Sequence, residues 1–209
     1  MHICSFGDSW PAGAELHPGE KPFAYVLADI NNCSASIHAQ SSSSIHHIPK
    51  QIKISIDRDQ FANSTAIFFL TGIDRETFFD ETGKEIHTSI NANNQQSAFW
   101  YKHYHTHKLV EYRINTTLLT IQALCDKHNV DAYFIWGWDS VELWEENKSL
   151  RFYPTTAKEI LDPDTNKTMT DIALAKNKYI WPNSGHPNQL GHEKIAEELD
   201  KFIKSCYYR

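Results

Sequence analysis

Apolar and polar positions alternate along this chain with two different periods. Compact runs of apolar or small residues at 2–6, 34–39, 65–70 and 131–136 are bounded by turn-forming residues and predict strands. The run at 65–70, Thr-Ala-Ile-Phe-Phe-Leu, is apolar almost throughout and predicts a buried strand. Between these runs the spacing becomes helical. Residues 22–30 place Phe23, Val26, Leu27 and Ile30 on one face, residues 97–128 form a long helical pattern with few unfavourable residues, and a last amphipathic helix closes the chain. The stretch after Ser44 mixes both signals: Ser44 is placed to cap a helix, yet Pro49 interrupts it and Ile52, Ile54 and Ile56 alternate as in a strand.

Strand and helix in alternation predict an α/β fold with three layers, α/β/α, around a central parallel sheet of the flavodoxin-like kind. Ligands of such sheets bind at the carboxyl ends of the strands. That edge would gather Ser9, Ser42, Asp74 and the Gly137-Trp138-Asp139 turn. Two segments break the alternation and predict insertions. Residues 76–96 are polar and too long for an ordinary connection, so they read as a lid set over that edge, and residues 144–183 are dominated by turn chemistry.

Bulk properties narrow the function classes. A chain of 209 residues is long enough for one well-buried core and predicts a single domain over 1–209. A formal charge of −6 without a basic stripe excludes nucleic acid as the main partner. No apolar run approaches the length that spans a bilayer, and the opening residues lead directly into a strand rather than a signal peptide, so the expected compartment is the cytoplasm. Cys4, Cys33, Cys125 and Cys206 are scattered without zinc spacing and predict reduced structural thiols. His103 and His107 would share a helix face at i, i+4, but without a carboxylate motif beside them a solvated or substrate-facing surface is the expectation. The adjacent His46 and His47 would point apart on a helix. No metal and no cofactor are expected.

The chemistry concentrates in two short segments at opposite ends of the chain: Gly7-Asp8-Ser9-Trp10 after the first strand, and His186-Pro187-Asn188-Gln189-Leu190-Gly191-His192 before the last helix. A serine hydroxyl is a poor nucleophile at neutral pH unless a base takes its proton, and imidazole titrates in the right range. Ser9 with His186 therefore suggests a serine hydrolase.

These segments resemble the SGNH hydrolases, the GDSL-like esterases and lipases, over most of the chain. The resemblance implies Ser9 as nucleophile and His186 as base. In Asn183-Ser184-Gly185-His186 it implies Asn183 as the group that orients the imidazole, where the family has Asp. Two central blocks of the family help hold the oxyanion. Here the first reads Gln40-Ser41-Ser42-Ser43-Ser44-Ile45, with Ser42 standing in for a glycine although a positive φ would carry a steric cost, and the second reads Thr71-Gly72-Ile73-Asp74-Arg75, with Asp74 where the family has Asn. The implied oxyanion donors are Ser9 and Ser42, with Asp74 at the third position, and the implied substrate-facing residues are Trp10, Arg75 and Trp138. The reaction implied is cleavage of a carbohydrate acetyl ester or small acyl ester through an acyl-serine.

Two other classes stay open. The altered positions Ser42, Asp74 and Asn183 fit a catalytically weakened domain of this fold that binds a carbohydrate or a protein. A phosphate or cofactor binder using the first-strand turn would need more Ser, Thr and Gly donors than Gly7-Asp8-Ser9 supplies, and it leaves His186 without a role. The segment from Phe6 to Trp10 together with Ser-Ser-Ile-His-His-Ile is also similar to SGNH-like proteins of bacteriophages, which implies a virion or host-modifying role.

Overall fold

The computed structural model describes residues 1–70, 75–88, 95–138, 140–163, 177–181 and 185–207. Four strands, β1 (His2–Phe6), β2 (Ser34–Ile37), β3 (Thr65–Leu70) and β6 (Asp131–Trp136), form a parallel sheet in the order β2-β1-β3-β6. Every residue of β3 is buried because the strand pairs on both edges and is covered on both faces. Its side chains alternate between two cores. Ile67 and Phe69 join Ile3, Tyr133 and Ile135 beneath α1 (Phe23–Ile30), α5 (Ala157–Leu161) and the final helix α6 (Gln189–Tyr207). Ala66, Phe68 and Leu70 join Cys4, Phe6 and Phe134 beneath α2 (Ile48–Asp57) and α4 (His107–His128). The predicted three-layer α/β/α architecture is thus the observed one.

Several elements depart from the sequence pattern. On α1 the buried face is Phe23, Ala24, Leu27 and Ala28, and Ile30 is exposed. The stretch after Ser44 is helical: a short 3₁₀ turn (Ile45–His47) leads into α2, and Pro49 lies in the first turn, where its missing N–H and fixed φ are tolerated. Ile48, Gln51, Ile52 and Ser55 are its buried face at helical spacing. Ser44 does precede the turn, but its hydroxyl makes no cap bond and pairs with Thr77 Oγ1 at 2.9 Å. The long pattern at 97–128 is two helices, α3 (Gln95–His103) and α4. Thr106 restarts the chain as an N-cap by accepting the Leu109 N–H at 3.2 Å.

The first predicted insertion contains an antiparallel hairpin, β4 (Glu76–Phe79) with β5 (Glu85–Thr88). Buried Glu76 ties it to α4 through Arg113 Nη1 at 2.7 Å. Burial pushes the Glu76 carboxyl up, and the Arg113 charge works against that shift. All four cysteines are free thiols. Among the described residues no helix is long and apolar enough to cross a membrane.

Candidate active site

The turn leaving β1 is built around one glycine. Gly7 has φ +135°, and a Cβ there would overlap the Phe69 carbonyl, so no other residue fits. Its peptide groups are held from several directions. The Gly7 N–H donates to Gln51 Oε1 at 2.8 Å, while its carbonyl accepts from the Gln40 N–H at 3.0 Å, Ser43 Oγ at 3.0 Å and Gln51 Nε2 at 2.7 Å. The fully buried Gln51 therefore joins α2, the serine loop and the turn that carries Ser9. Sequence reasoning passed over Gln51, because a polar residue among alternating isoleucines reads as solvent-facing.

Asp8 and Ser9 follow. Asp8 is completely buried, with Oδ1 accepting the Trp10 N–H at 3.1 Å and Oδ2 ion-paired with Arg75 Nη1. Ser9 is 5 % exposed, and its Oγ donates to Asp8 Oδ2 at 3.4 Å. Backbone bonds from Ala12 N–H to Asp8 O and from Ala14 N–H to Ser9 O wind the next residues back over the turn. Arg75 also lies over the Trp138 ring, 6.0 Å from its centroid. Trp10 is enclosed between Phe69 and Trp138 and belongs to the core, so its ring presents no open face to a ligand. Trp138, at the carboxyl end of β6, is only partly buried, whereas Trp136 is buried and stacks on Phe152.

His186 arrives from the other end of the chain. Its carbonyl accepts the Trp181 N–H at 2.8 Å, Ile180 and Pro187 form a β-bridge, and the Asn188 N–H donates to Tyr179 O at 2.9 Å. Gly191 lets α6 approach this segment, since a Cβ there would overlap the Tyr179 carbonyl. The Trp181 ring meets His17 edge to face at 4.8 Å, which brings the loop after Ser9 against the His186 segment. On that loop Glu15 places Oε1 3.4 Å from His186 Nδ1. Glu15 has φ +70°. Nothing in the sequence singles it out, because a lone carboxylate in a loop carries no motif; only the folded loop brings it to the imidazole.

The remaining predicted residues are placed as follows. Ser42 is exposed with φ +67°, in the left-handed region that favours glycine. Asp74 and Asn183 lie outside the described residues, as does Asp139. His103 ends α3 and His107 begins α4, so the helix face expected to hold both does not exist. His46 and His47 are not idle: His46 Nδ1 bonds Thr117 Oγ1 at 3.0 Å, and His47 Nε2 lies 3.3 Å from Glu85 Oε2 in the hairpin. A cleft of 860 Å³ lined by Ser64, Thr65, Asp131 and Arg151 opens at the amino ends of β3 and β6, away from Ser9.

No family model matches the chain, and no curated protein matches it. Solved structures do. The acetyl xylan esterase Est2A from the rumen bacterium Butyrivibrio proteoclasticus matches with a TM-score of 0.58 at 13% identity, over 99% of this chain and 64% of that one. This chain thus spans less than two thirds of that esterase. The psychrotrophic esterase EstA from a Pseudoalteromonas species matches with a TM-score of 0.56 at 12% identity over 100% of this chain and 99% of that one. A member of the lipolytic G-D-S-L family from Veillonella parvula matches with a TM-score of 0.52 at 11% identity over 98% of both. At these identities the likeness is one of fold, shared with two esterases and a member of the lipolytic G-D-S-L family.

Proposed function

We propose that this chain is a serine esterase in which Ser9 attacks the ester carbonyl, His186 takes the hydroxyl proton and returns it to the leaving alcohol, and water then releases the acyl group from Ser9. The observation that carries this reading is the His186 imidazole, whose Nδ1 faces, at 3.4 Å, the Glu15 carboxylate on the loop that follows the clamped turn of Ser9. In a serine triad the carboxylate side of the imidazole selects the tautomer and steadies the cation that forms, while the opposite nitrogen serves the hydroxyl. Glu15 supplies that charge, and Asn183, at the family's Asp position, is the second orienting group.

The oxyanion falls to the backbone N–H groups of Ser9 and Ser42, and the left-handed φ of Ser42 fits that duty. Asp74 occupies the third motif position. An ionised carboxylate cannot donate there, and Arg75 is engaged by Asp8, so fewer donors than usual serve the transition state. Trp138, partly open beside Arg75, is the surface for the sugar or acyl group. The substrate class we infer is a carbohydrate acetyl ester or small acyl ester, in keeping with the acetyl xylan esterase among the fold neighbours.

Turnover of 4-nitrophenyl acetate by the purified protein and by Ser9→Ala tests this directly. The wild-type protein should hydrolyse the ester, and the variant should fold and show only the background rate. Equal turnover by both would overturn the assignment. Carbohydrate binding with no Ser9-dependent turnover would instead support a binding module.

A further inference from the structure

Among the described residues, apart from the Ser9 site, one cluster joins three metal-ligating side chains that the proposed reaction does not use. His47, Glu85 and His87 bring one ligand atom each to within 4.8 Å of one another. His47 lies on the turn before α2, and the other two lie two residues apart on β5, where alternation puts both on one face. We propose that these residues bind a divalent transition-metal ion, with Zn²⁺ the best match, which fastens the β4–β5 hairpin to the serine loop.

Three observations support a built site. First, the His47 side chain is 3 % exposed, its Nε2 makes no hydrogen bond, and that nitrogen points at Glu85 Oε2 from 3.3 Å. Ligand atoms about 2.0 Å from a tetrahedral zinc lie about 3.3 Å apart, so this pair already has the spacing a metal needs. Second, the two imidazoles meet edge to face with centroids 5.2 Å apart, and two histidines with one carboxylate form a donor set that zinc accepts. Third, an orienting partner is in place: His87 Nδ1 is 3.0 Å from Thr77 Oγ1, which in turn lies 2.9 Å from Ser44 Oγ. Such outer partners fix the tautomer and the ring direction of a ligating histidine.

Two present contacts must give way or coexist. Gln40 Nε2 sits 2.9 Å from His87 Nε2; it is an exposed side chain that can turn aside, leaving a fourth position for its own Oε1 or for water. Lys50 Nζ holds Glu85 Oε1 at 2.5 Å, which leaves Oε2 to bind the ion singly. The consequence reaches Ser42. Ser43 and Ser44 follow it, the first tied to Gly7 and the second to Thr77 of the hairpin, so a metal at this cluster would stiffen the loop.

The test is calorimetric titration of Zn²⁺ alone into chelator-treated, dialysed protein, with melting curves run beside it. Wild type should bind one equivalent and melt higher with zinc than without. Glu85→Gln and His87→Ala should each lose at least about tenfold in affinity and the zinc-dependent rise in Tm. Both variants alter hairpin residues, and their melting without zinc establishes folding; if His87→Ala does not fold, Glu85→Gln decides. Absence of binding by the wild type, or equal binding by wild type and Glu85→Gln, would overturn the site, the latter assigning the ion to other histidines.

Discussion

Glu15 and His186, 171 positions apart in the chain, meet with Oε1 3.4 Å from Nδ1. The contact gives the imidazole a carboxylate although Asn stands at position 183. Removing the carboxylate from a serine triad costs about 10⁴ in turnover. Glu15 is half exposed, and in the proposed mechanism it shares its task with Asn183, so Glu15→Gln should lower kcat by about 10- to 100-fold, scaled down from that limit, with KM little changed. Asn183→Asp in the Glu15→Gln background should recover much of the loss. An unchanged kcat in Glu15→Gln would remove Glu15 from the account.

Gln51 should matter to both stability and rate. Gln51→Leu keeps the volume but leaves the Gly7 N–H without its 2.8 Å acceptor and takes one donor from the Gly7 carbonyl. A buried polar group left unpaired costs about 1–3 kcal/mol, so urea unfolding should show a loss in that range. Turnover should fall as well, since the same bonds hold the turn of Ser9. A stability loss with full activity would mean that the turn keeps its shape without Gln51.

Arg75 is the cation beside the fully buried Asp8 carboxylate. Breaking a buried ion pair from one side costs about 3–5 kcal/mol when the remaining charge is uncompensated. Asp8 keeps the Trp10 N–H, so Arg75→Met should destabilise by about 3 kcal/mol, the lower end of that range. Thermal or urea unfolding measures it; a change below about 1 kcal/mol would show that the pair behaves as a surface bridge.

Acid should unfold the protein partly through His192. This residue is 1 % exposed, its Nδ1 accepts the Phe23 N–H at 3.1 Å, and burial, with a smaller effect from the His186 charge, lowers its pKa to about 4. The unfolded chain binds the proton near pH 6.5, so between about 6.5 and about 4 it holds more protons than the folded chain, and stability falls as pH falls. The full effect is on the order of 3 kcal/mol, present above the unfolded pKa and lost by about pH 4. His192→Asn, whose Oδ1 can still accept from Phe23, should flatten this limb of the stability profile. An unaltered slope would place the acid sensitivity elsewhere.

The parallel sheet was legible because β3 and β6 carry apolar residues on consecutive positions, as burial on both faces requires. Ser9 and His186, the proposed nucleophile and base, stand out in the sequence because their neighbours form contiguous motifs. What could not be read was chemistry created by folding: Glu15 reaches His186, and Gln51 reaches Gly7, across loops that no periodicity describes. The helix after Ser44 was obscured by a proline whose effect depends on its place in the first turn, and the long helix hid a break because Thr106 caps as readily as it continues. The hairpin was masked by the polarity of residues 76–96, which read as an insertion; the partners of Glu76 and Glu85, Arg113 and His47, come from other elements.

The central claim is that Ser9 is an activated nucleophile. Incubation with an alkyl fluorophosphonate, followed by intact-mass measurement and peptide mapping, tests it without knowledge of the natural ester. The account predicts a single adduct on Ser9 in the wild-type protein, none in Ser9→Ala, and melting of the two within about 1 kcal/mol, as expected for loss of one weak hydroxyl contact. A folded wild-type protein that takes no adduct, or takes it on another residue while Ser9→Ala is labelled equally, would contradict it.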